Sequence, residues 1–488
     1  MVKLEQPFIF NDFSSGMIDD GAVSDSLLPR NAVRKAINCV FDNPRGSVAG
    51  RLGSTRIGQN LSNRIRGVYN FRDAGTGTNH QLLATNNLGT TYYYDGANLV
   101  ATLAGDTAAL KTRFVTFLDL VARLNGTDAA RSWNGDTAVS WAAAGGALDV
   151  GNWPTLSRFA VVFNSRVYTA GSTANQDTLS YSSIPSSGAI SWTSGNGSLQ
   201  VNPNDGDSGI TGLGTNGTVL LVFKRNSLYR WDGQATFANK VISIGTPSNE
   251  SIAAHDSGWV YFFGIGKNSV GVYRTSGGYP QKISLNISKW MEAISVSNYD
   301  DVAGFADDDH YYLSVGSVTV DGQTYTNAWF VYTISLQCWH IENHAQSFKV
   351  FAGYIDSNNN LTTVGGDTAG NVQTINSGTT DNTTAISAEC EFAPILFTTR
   401  SHTKTVSRLT TYANFFQGLK FFLKIDQSDF KELGEIKKTE QNFTGFYNYS
   451  GLFRGKRFFP KISVANSNVA WQFDGFEFQE IIDEGYFQ

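Results

Sequence analysis

The chain has 488 residues, of which 16% are charged and 49 are glycine, and its formal net charge at neutral pH is −5. This length allows roughly two or three domains, and the charge lacks the basic excess of proteins that hold nucleic acid permanently by electrostatic attraction. No apolar stretch reaches the roughly eighteen residues that a spanning helix needs, so we expect no membrane-spanning segment.

The first sixty residues differ in pattern from the rest of the chain. An aromatic run at residues 8–13 is followed by turns rich in glycine and aspartate, and a second apolar run covers residues 36–41. Residues 43–48 contain the proline and glycine that turn a chain back on itself. We predict that residues 1–60 form an N-terminal extension that packs on the next domain or on a neighbouring subunit.

Residues 61–380 repeat one pattern, a short apolar strand, a polar turn and a second alternating strand. The units align at positions spaced by 41 to 52 residues, namely Val68, Val115, Ala160, Gly212, Ala253, Gly304 and Ala352. That period is typical of a four-stranded propeller blade, and a closed ring of blades removes exposed strand edges. We predict an all-β fold with a β-propeller of about six to seven blades; a pair of β-sandwiches is the alternative.

Single units support the strand prediction. Residues 159–163 and 166–170 are two β-rich runs around a short polar turn, and residues 178–182 predict a third strand. Residues 107–125 fit a short helix or strands equally well.

The repeat ends near residue 380. Residues 420–426, 461–464 and 470–473 predict strands at the spacing of a sandwich. We therefore predict a β-sandwich-like or platform domain at residues 381–488. Its basic residues Arg454, Lys456 and Arg457 fit either a subunit contact or a solvated loop.

The three cysteines, Cys39, Cys338 and Cys390, are far apart in the chain. None has a second cysteine or a histidine at the spacing of a zinc site, and their number is odd, so the sequence indicates neither a disulfide framework nor zinc. We predict that Cys338, in an apolar strand, is a buried structural thiol.

Four groups of residues carry the side chains used in metal binding or catalysis: Asp307, Asp308 and Asp309 with His310; Asp205 and Asp207; Glu389 and Glu391; His340 and His344. The aspartates lack the spacing of a calcium loop and are typical of hairpin turns. The glutamates share one face of a strand, but adjacency does not set the separation that glycoside hydrolysis requires. The histidines lie in strand-like sequence without the acidic partner of a zinc protease. We predict no catalytic, cofactor-binding or metal-binding residue, no cofactor, and no enzymatic activity.

The order of residues in the N-terminal segment resembles a known family. The matching positions are Phe13, Gly16, Leu28, Pro29, Asn38, Gly46, Arg51, Leu52 and Gly53. Blade-like phrases at residues 165–171, 207–213 and 244–253 extend the likeness. In this pattern the chain resembles the propeller-containing tail hub or nozzle (tail tube) proteins of short-tailed bacteriophages, which are related to phage DNA-stabilisation proteins.

The resemblance implies a structural virion protein located in the phage tail after synthesis in the host cytoplasm. It implies a homo-hexamer that forms a ring or tube for DNA ejection, with an adaptor above, fibres or spikes at the side, and transient contact with DNA in the lumen. One alternative is a receptor-recognition propeller that binds or cleaves carbohydrate, for which Trp133, Trp141, Trp192 and Trp290 are the available aromatic side chains. Another is a head-completion plug protein.

Overall fold

The computed structural model describes residues 3–19, 27–42, 44–72, 80–234, 237–356, 358–397, 401–414, 418–436 and 445–484. Strands dominate this part of the chain, as predicted. Its helical segments are the α-helix Ser288–Glu292 and the 3-10 turns Val150–Asn152, Asn249–Ser251, Leu285–Ile287 and Val296–Asp301.

Seven groups of antiparallel strands follow one another along the chain, and we number them blades 1 to 7; the last two belong to one larger sheet. Blade 1 contains Ile65–Arg72, His80–Asn86, Thr91–Tyr94 and Leu99–Leu103, and blade 2 contains Arg113–Phe117, Leu120–Leu124 and Arg131–Trp133. Blade 3 contains Phe159–Phe163, Arg166–Ala170, Thr178–Tyr181 and Gly197–Gln200. Blade 4 contains Ile210–Thr215, Leu220–Lys224, Leu228–Trp231 and Asn239–Ile242. Blade 5 contains Ala253–Ala254, Val260–Gly266, Ser269–Thr275 and Gln281–Lys282, with Ile244–Gly245 beside them. Blade 6 contains Ala303–Ala306, His310–Val320, Gln323–Thr333 and Cys338–Asn343. Blade 7 contains Phe348–Ile355, Leu361–Asp367 and Val372–Ile375.

The blades close into a ring. The first strand of each blade contacts the first strands of the blades before and after it, and the first strand of blade 7 packs against that of blade 1. Each of the seven aligned sequence positions lies in one of these first strands. The predicted β-propeller is therefore confirmed, with seven blades.

A strand from the N-terminal segment completes the ring. Ser54–Ile57 pairs antiparallel with Val372–Ile375, with Ile57 opposite Val372, and so becomes the outer strand of blade 7. Because the first and last parts of the ring are joined within one sheet, neither can leave without breaking backbone hydrogen bonds.

Two further sheets form a β-sandwich from both ends of the chain. One contains Gly445–Gly455, Lys404–Asn414, Gln472–Asp483, Arg45–Gly50 and Cys39–Asp42 in that order, and Lys3–Glu5 and Phe8–Phe10 also pair with Gln472–Asp483. The other contains Lys431–Glu435, Leu419–Ile425, Phe458–Ser467, Thr384–Phe392 and Ala32–Ile37, with Gly16–Met17 beside Ala32–Ile37 and Thr380–Asp381 beside Thr384–Phe392.

The sandwich is continuous with the propeller. Ile37 pairs with Ile341 of blade 6, so the second sandwich sheet extends into that blade. One core of buried apolar side chains runs from the sandwich, at Phe13 and Phe473, to blade 6, at Trp339. The N-terminal extension thus packs on the propeller and also supplies strands to both sandwich sheets.

Candidate functional site: a junction and an axial charge cluster

Asn38, one of the residues that carry the family resemblance, lies where the N-terminal segment, blade 6 and the sandwich meet. Its φ is 56°, a left-handed conformation that asparagine tolerates better than most residues. Its Nδ2 donates to the Ser387 carbonyl (2.7 Å), and its Oδ1 accepts from Arg51 Nε and from the Asn343 backbone N–H (2.8 Å each). One side chain therefore ties three parts of the fold together.

Arg51 forms a two-pronged ion pair with Asp381. Its Nη1 and Nη2 donate to Oδ1 and Oδ2 of Asp381 at 2.8 and 2.7 Å, and the two side chains are only 1% and 3% exposed. Burial alone would raise the pKa of Asp381, but the hydrogen bonds from Arg51 outweigh it and hold that pKa well below its usual range. We call Asn38, Arg51, Glu342, His344 and Asp381 the junction cluster.

The histidines singled out in the sequence flank the buried carboxylate of Glu342. Oε2 of Glu342 lies 2.7 Å from His344 Nε2, and Oε1 lies 3.3 Å from His340 Nε2. Burial would raise the pKa of Glu342, but hydrogen bonds from His340 and His344 lower it. The two rings therefore serve as partners of a buried acid. A strand places residues 340 and 342 on one face, which is the signal that could have revealed the pair.

Two glycines of the resemblance allow close contacts between the N-terminal segment and other parts of the fold, and one of them, Gly53, lies beside the junction cluster. Gly16 has a φ of +59°, and a Cβ there would lie 2.7 Å from the Cβ of Cys338. A Cβ on Gly53 would overlap the carbonyl of Thr380, next to Asp381. Glycine is the residue that fits both positions without strain.

A second group of charged residues gathers at one end of the propeller axis. We call it the axial cluster, and it consists of Arg64, Arg66, Lys111, Arg113, Arg225, Lys349, Glu250, Asp300 and Asp301. Except for Arg225, which follows the second strand of blade 4, these residues lie at or just before the first strand of a blade. Sequence reasoning missed them, although each of those eight lies two to four positions before an aligned residue of the repeat.

Ion pairs of the axial cluster cross the ring. Glu250, at the entry of blade 5, accepts from Lys111 Nζ at 2.9 Å and from Arg113 Nε at 2.7 Å, both at the entry of blade 2. Blades 2 and 5 lie on opposite sides of a seven-blade ring, so these side chains bridge its axis. Burial would raise the pKa of Glu250, but Arg113 and Lys111 lower it to about 2.

Asp301, at the entry of blade 6, is surrounded by cations. Arg64 Nη2 lies 2.6 Å from Oδ1, and the Nζ atoms of Lys111 and Lys349 lie 3.7 and 3.8 Å from its carboxylate oxygens. Burial lowers the pKa of Lys349 and the positive charges of Arg64 and Lys111 lower it further, against the opposing effect of Asp301. Six cations face three carboxylates, so the axial cluster has a formal charge of +3 in a chain whose net charge is −5.

The acidic run beside His310 lies in a hairpin turn of blade 6. The Asp307 carboxylate accepts from the backbone N–H groups of Asp309 and His310, and Asp309 accepts from the Ser335 side chain. Single ligand atoms of Asp42, Asp309 and His310 lie within 4.8 Å of one another, close enough to share a cation. Hydrogen bonds to Asp307 and Asp42 overcome the effect of burial, however, and raise the pKa of His310 to about 10. His310 Nε2 lies 3.0 Å from Asp42 Oδ2, so the protonated ring forms an ion pair with that carboxylate.

In the other two acidic pairs, three of the four carboxylates face lysines. Asp205 accepts from Lys224 Nζ at 3.1 Å, and Lys224 is fully buried. Asp207 instead accepts from the backbone N–H of Asn226 and from the Ser227 hydroxyl. Glu389 lies 2.9 Å from Lys35 Nζ and 3.2 Å from Lys461 Nζ, and Glu391 lies 3.9 Å from the same Lys461, so the two glutamates join neighbouring strands electrostatically.

The four tryptophans considered for sugar stacking are buried: Trp133, Trp141, Trp192 and Trp290 are 2%, 5%, 5% and 1% exposed. They fill blade and sandwich cores and offer no exposed face to a glycan.

The three cysteines are buried free thiols, as the sequence predicts for Cys338. Burial raises the pKa of the Cys338 thiol to about 12, which makes it unreactive.

In the basic run near the C-terminus, Arg454 Nε donates to Glu484 at 2.7 Å, and the backbone N–H groups of Lys456 and Arg457 donate to Asp426.

Comparison with known proteins yields similarity of fold alone. No family model and no curated protein matches the chain. Similar solved structures include YCF48 bound to a D1 peptide (9% identity, 67% of this chain and 97% of that chain, TM-score 0.42) and the Pan2 WD40 domain of Neurospora crassa (9%, 67% and 94%, TM-score 0.40). Saccharomyces cerevisiae Sqt1 is 8% identical over 67% of this chain and 98% of its own, with a TM-score of 0.41.

The helices among the described residues are too short and too polar to cross a bilayer.

Proposed function

We propose that this protein is a structural subunit of the tail hub or nozzle of a short-tailed bacteriophage, in which about six copies form a ring or tube with closed symmetry. The junction cluster carries the proposal. Asn38 and Arg51 of this cluster, and Gly53 beside it, belong to the sequence pattern of that family and lie where the propeller meets the sandwich.

A subunit of a ring must keep its shape, because a small change of angle in each copy would open the ring. The buried pair of Arg51 and Asp381 and the apolar core shared by the sandwich and blade 6 hold the two parts in one orientation. This rigidity supports a mechanical role, and the proposed function includes no catalytic step.

The axial cluster supports a particular placement of the lumen. Lys111 and Arg113 reach Glu250 across the propeller axis, so that axis is bridged by side chains. In the proposed assembly DNA passes between subunits, and each propeller acts as a solid spacer. The adaptor above and the fibres or spikes at the side would then contact the outer loops.

Electron microscopy of the purified full-length chain, combined with a mass measurement in solution, tests the proposal. We expect rings or tubes with six-fold symmetry and a mass about six times that of the 53.2 kDa chain. A protein that stays monomeric at micromolar concentration and binds glycans on an array would contradict the proposal and support the receptor-recognition alternative.

A further inference from the structure

The axial cluster contains more positive charge than its carboxylates neutralise. The three carboxylates of the cluster, on Glu250, Asp300 and Asp301, each have a basic nitrogen of the cluster within 2.9 Å of an oxygen. Arg66, in contrast, has a hydrogen bond from Nε to the Asn87 side chain (2.6 Å), and among the described residues no carboxylate lies within ion-pair distance of it. Part of the positive charge that the carboxylates leave unneutralised is therefore located on Arg66.

Arg158 adds a further cation at the same end of the propeller. It directly precedes the first strand of blade 3, its backbone carbonyl accepts from Arg113 Nη1 at 3.4 Å, and its side chain is exposed. Lys349, at the start of blade 7, is in contrast buried and forms an ion pair with Asp301 at 3.8 Å. Arg66 and Arg158 thus place positive charge that no ion pair among the described residues neutralises on blades 1 and 3.

We propose that this end of the propeller binds the phosphate backbone of double-stranded DNA through Arg66 on blade 1 and Arg158 on blade 3. The inference rests on the proposed function, which brings DNA close to the subunit, and it specifies which face of the propeller is turned toward the lumen.

The distribution of the charge favours a polyanion over a small anion. The cations come from separate blades around the axis, so several phosphates along a backbone can meet them, whereas one small anion would meet only one or two. Arginine suits such contacts because its planar guanidinium donates two hydrogen bonds to one phosphate. The remainder of the chain carries net negative charge, which repels DNA elsewhere and leaves this end as the attractive surface.

The attraction is also limited in strength. Three carboxylates remain within the cluster, so the surface holds DNA through a few phosphate contacts that salt readily weakens. Contacts of this kind position a moving polyanion without trapping it.

The test measures binding of a fluorescent DNA duplex to the full-length protein over a range of salt concentrations. The variant R66Q/R158Q removes two partly or fully exposed cations without altering the buried pairs. The control K240Q/K431Q removes two exposed cations, one on the outer strand of blade 4 and one in the sandwich. We expect sequence-independent binding by the wild type. The slope of log affinity against log salt should fall by about two in R66Q/R158Q and stay unchanged in K240Q/K431Q.

Thermal unfolding of both variants confirms that they are folded. Absence of DNA binding by the wild type, or equal loss in the two variants, would overturn the inference. Binding of a poly-glutamate peptide but not of DNA would overturn it in favour of an acidic protein partner. Rings that form without DNA affinity refute this inference alone, whereas DNA affinity in a protein that forms no rings refutes the proposed tube.

Discussion

Residues of the junction cluster contact one another although they are far apart in the chain. Arg51 and Asp381 are 330 positions apart, yet they form a two-pronged pair away from water. A buried charge that loses its partner is costly, because neither water nor a counter-ion can replace the lost hydrogen bonds.

Replacing Arg51 by alanine should therefore destabilise the protein by about 3–5 kcal/mol. The measurement is the free energy of unfolding in urea. The matched control is K420A, which breaks the exposed pair of Lys420 and Glu432 (43% exposed on each side) and should cost less than about 1 kcal/mol. Equal losses in the two variants would show that the Arg51 pair has no special role.

Glu250 should make the stability of the protein depend on acid. Its pKa falls from 4.5 to about 2 on folding, so its contribution is complete above pH 4.5 and disappears as the pH falls towards 2. The shift corresponds to a contribution on the order of 3 kcal/mol. The E250Q variant should accordingly be less stable than the wild type at neutral pH, and the difference should shrink as the pH falls from 4.5 to 2.

Urea unfolding at several pH values gives that difference directly. The E432Q variant, in an exposed pair, is the control and should stay within about 0.5 kcal/mol of the wild type at neutral pH. A difference between E250Q and the wild type that stays constant down to pH 2 would contradict the role of Glu250.

Among the structural elements, the short strand Ser54–Ile57 determines closure of the propeller, because it completes blade 7. Gly53 precedes this strand and lies against the backbone of Thr380, so the strand can enter blade 7 only because residue 53 has no side chain. The close approach fixes the path of the chain from the sandwich to the propeller.

Substituting Gly53 by alanine should displace this strand and cost about 1–3 kcal/mol through overpacking. The control is G278A, since a Cβ at Gly278 has no neighbour within 4 Å, and it should be neutral or slightly stabilising. Thermal unfolding and hydrogen exchange of residues 54–57 provide the readout. Unchanged protection of this strand in G53A would contradict its proposed role in ring closure.

At the scale of the whole molecule, the propeller and sandwich share one core. Buried side chains from the N-terminal segment, blade 6 and the C-terminal strands form a single cluster, and Ala32–Ile37 pairs with strands on both sides. Elements that share a core and a sheet unfold together, because neither retains its buried surface alone.

We therefore expect the sandwich strand Lys404–Asn414 and the blade 6 strand Gln323–Thr333 to lose hydrogen-exchange protection at the same urea concentration. Hydrogen exchange followed by mass spectrometry measures both strands in one sample. Loss of protection in the sandwich at clearly lower urea would show that the two parts are independent domains.

The amino-acid sequence was sufficient for the propeller because blade formation is a local matter. Alternating side chains and turn residues repeat within each unit, so Val68, Val115 and the other aligned positions could be placed in the first strands from the printed order alone. Residues 107–125, which fit a helix or strands, form the strands Arg113–Phe117 and Leu120–Leu124, since packing between blades 1 and 3 decides the choice.

The pairing of distant elements was decided by the tertiary structure. Strand periodicity shows which face of a strand is apolar, but it does not show which strand becomes its neighbour, so Ser54–Ile57 in blade 7 and Ala32–Ile37 beside blade 6 could not be foreseen. The axial cluster has the same origin: Lys111 and Glu250 are brought together only when the ring closes. Local patterning fixed the strands, and closure of the ring fixed the charges at its axis.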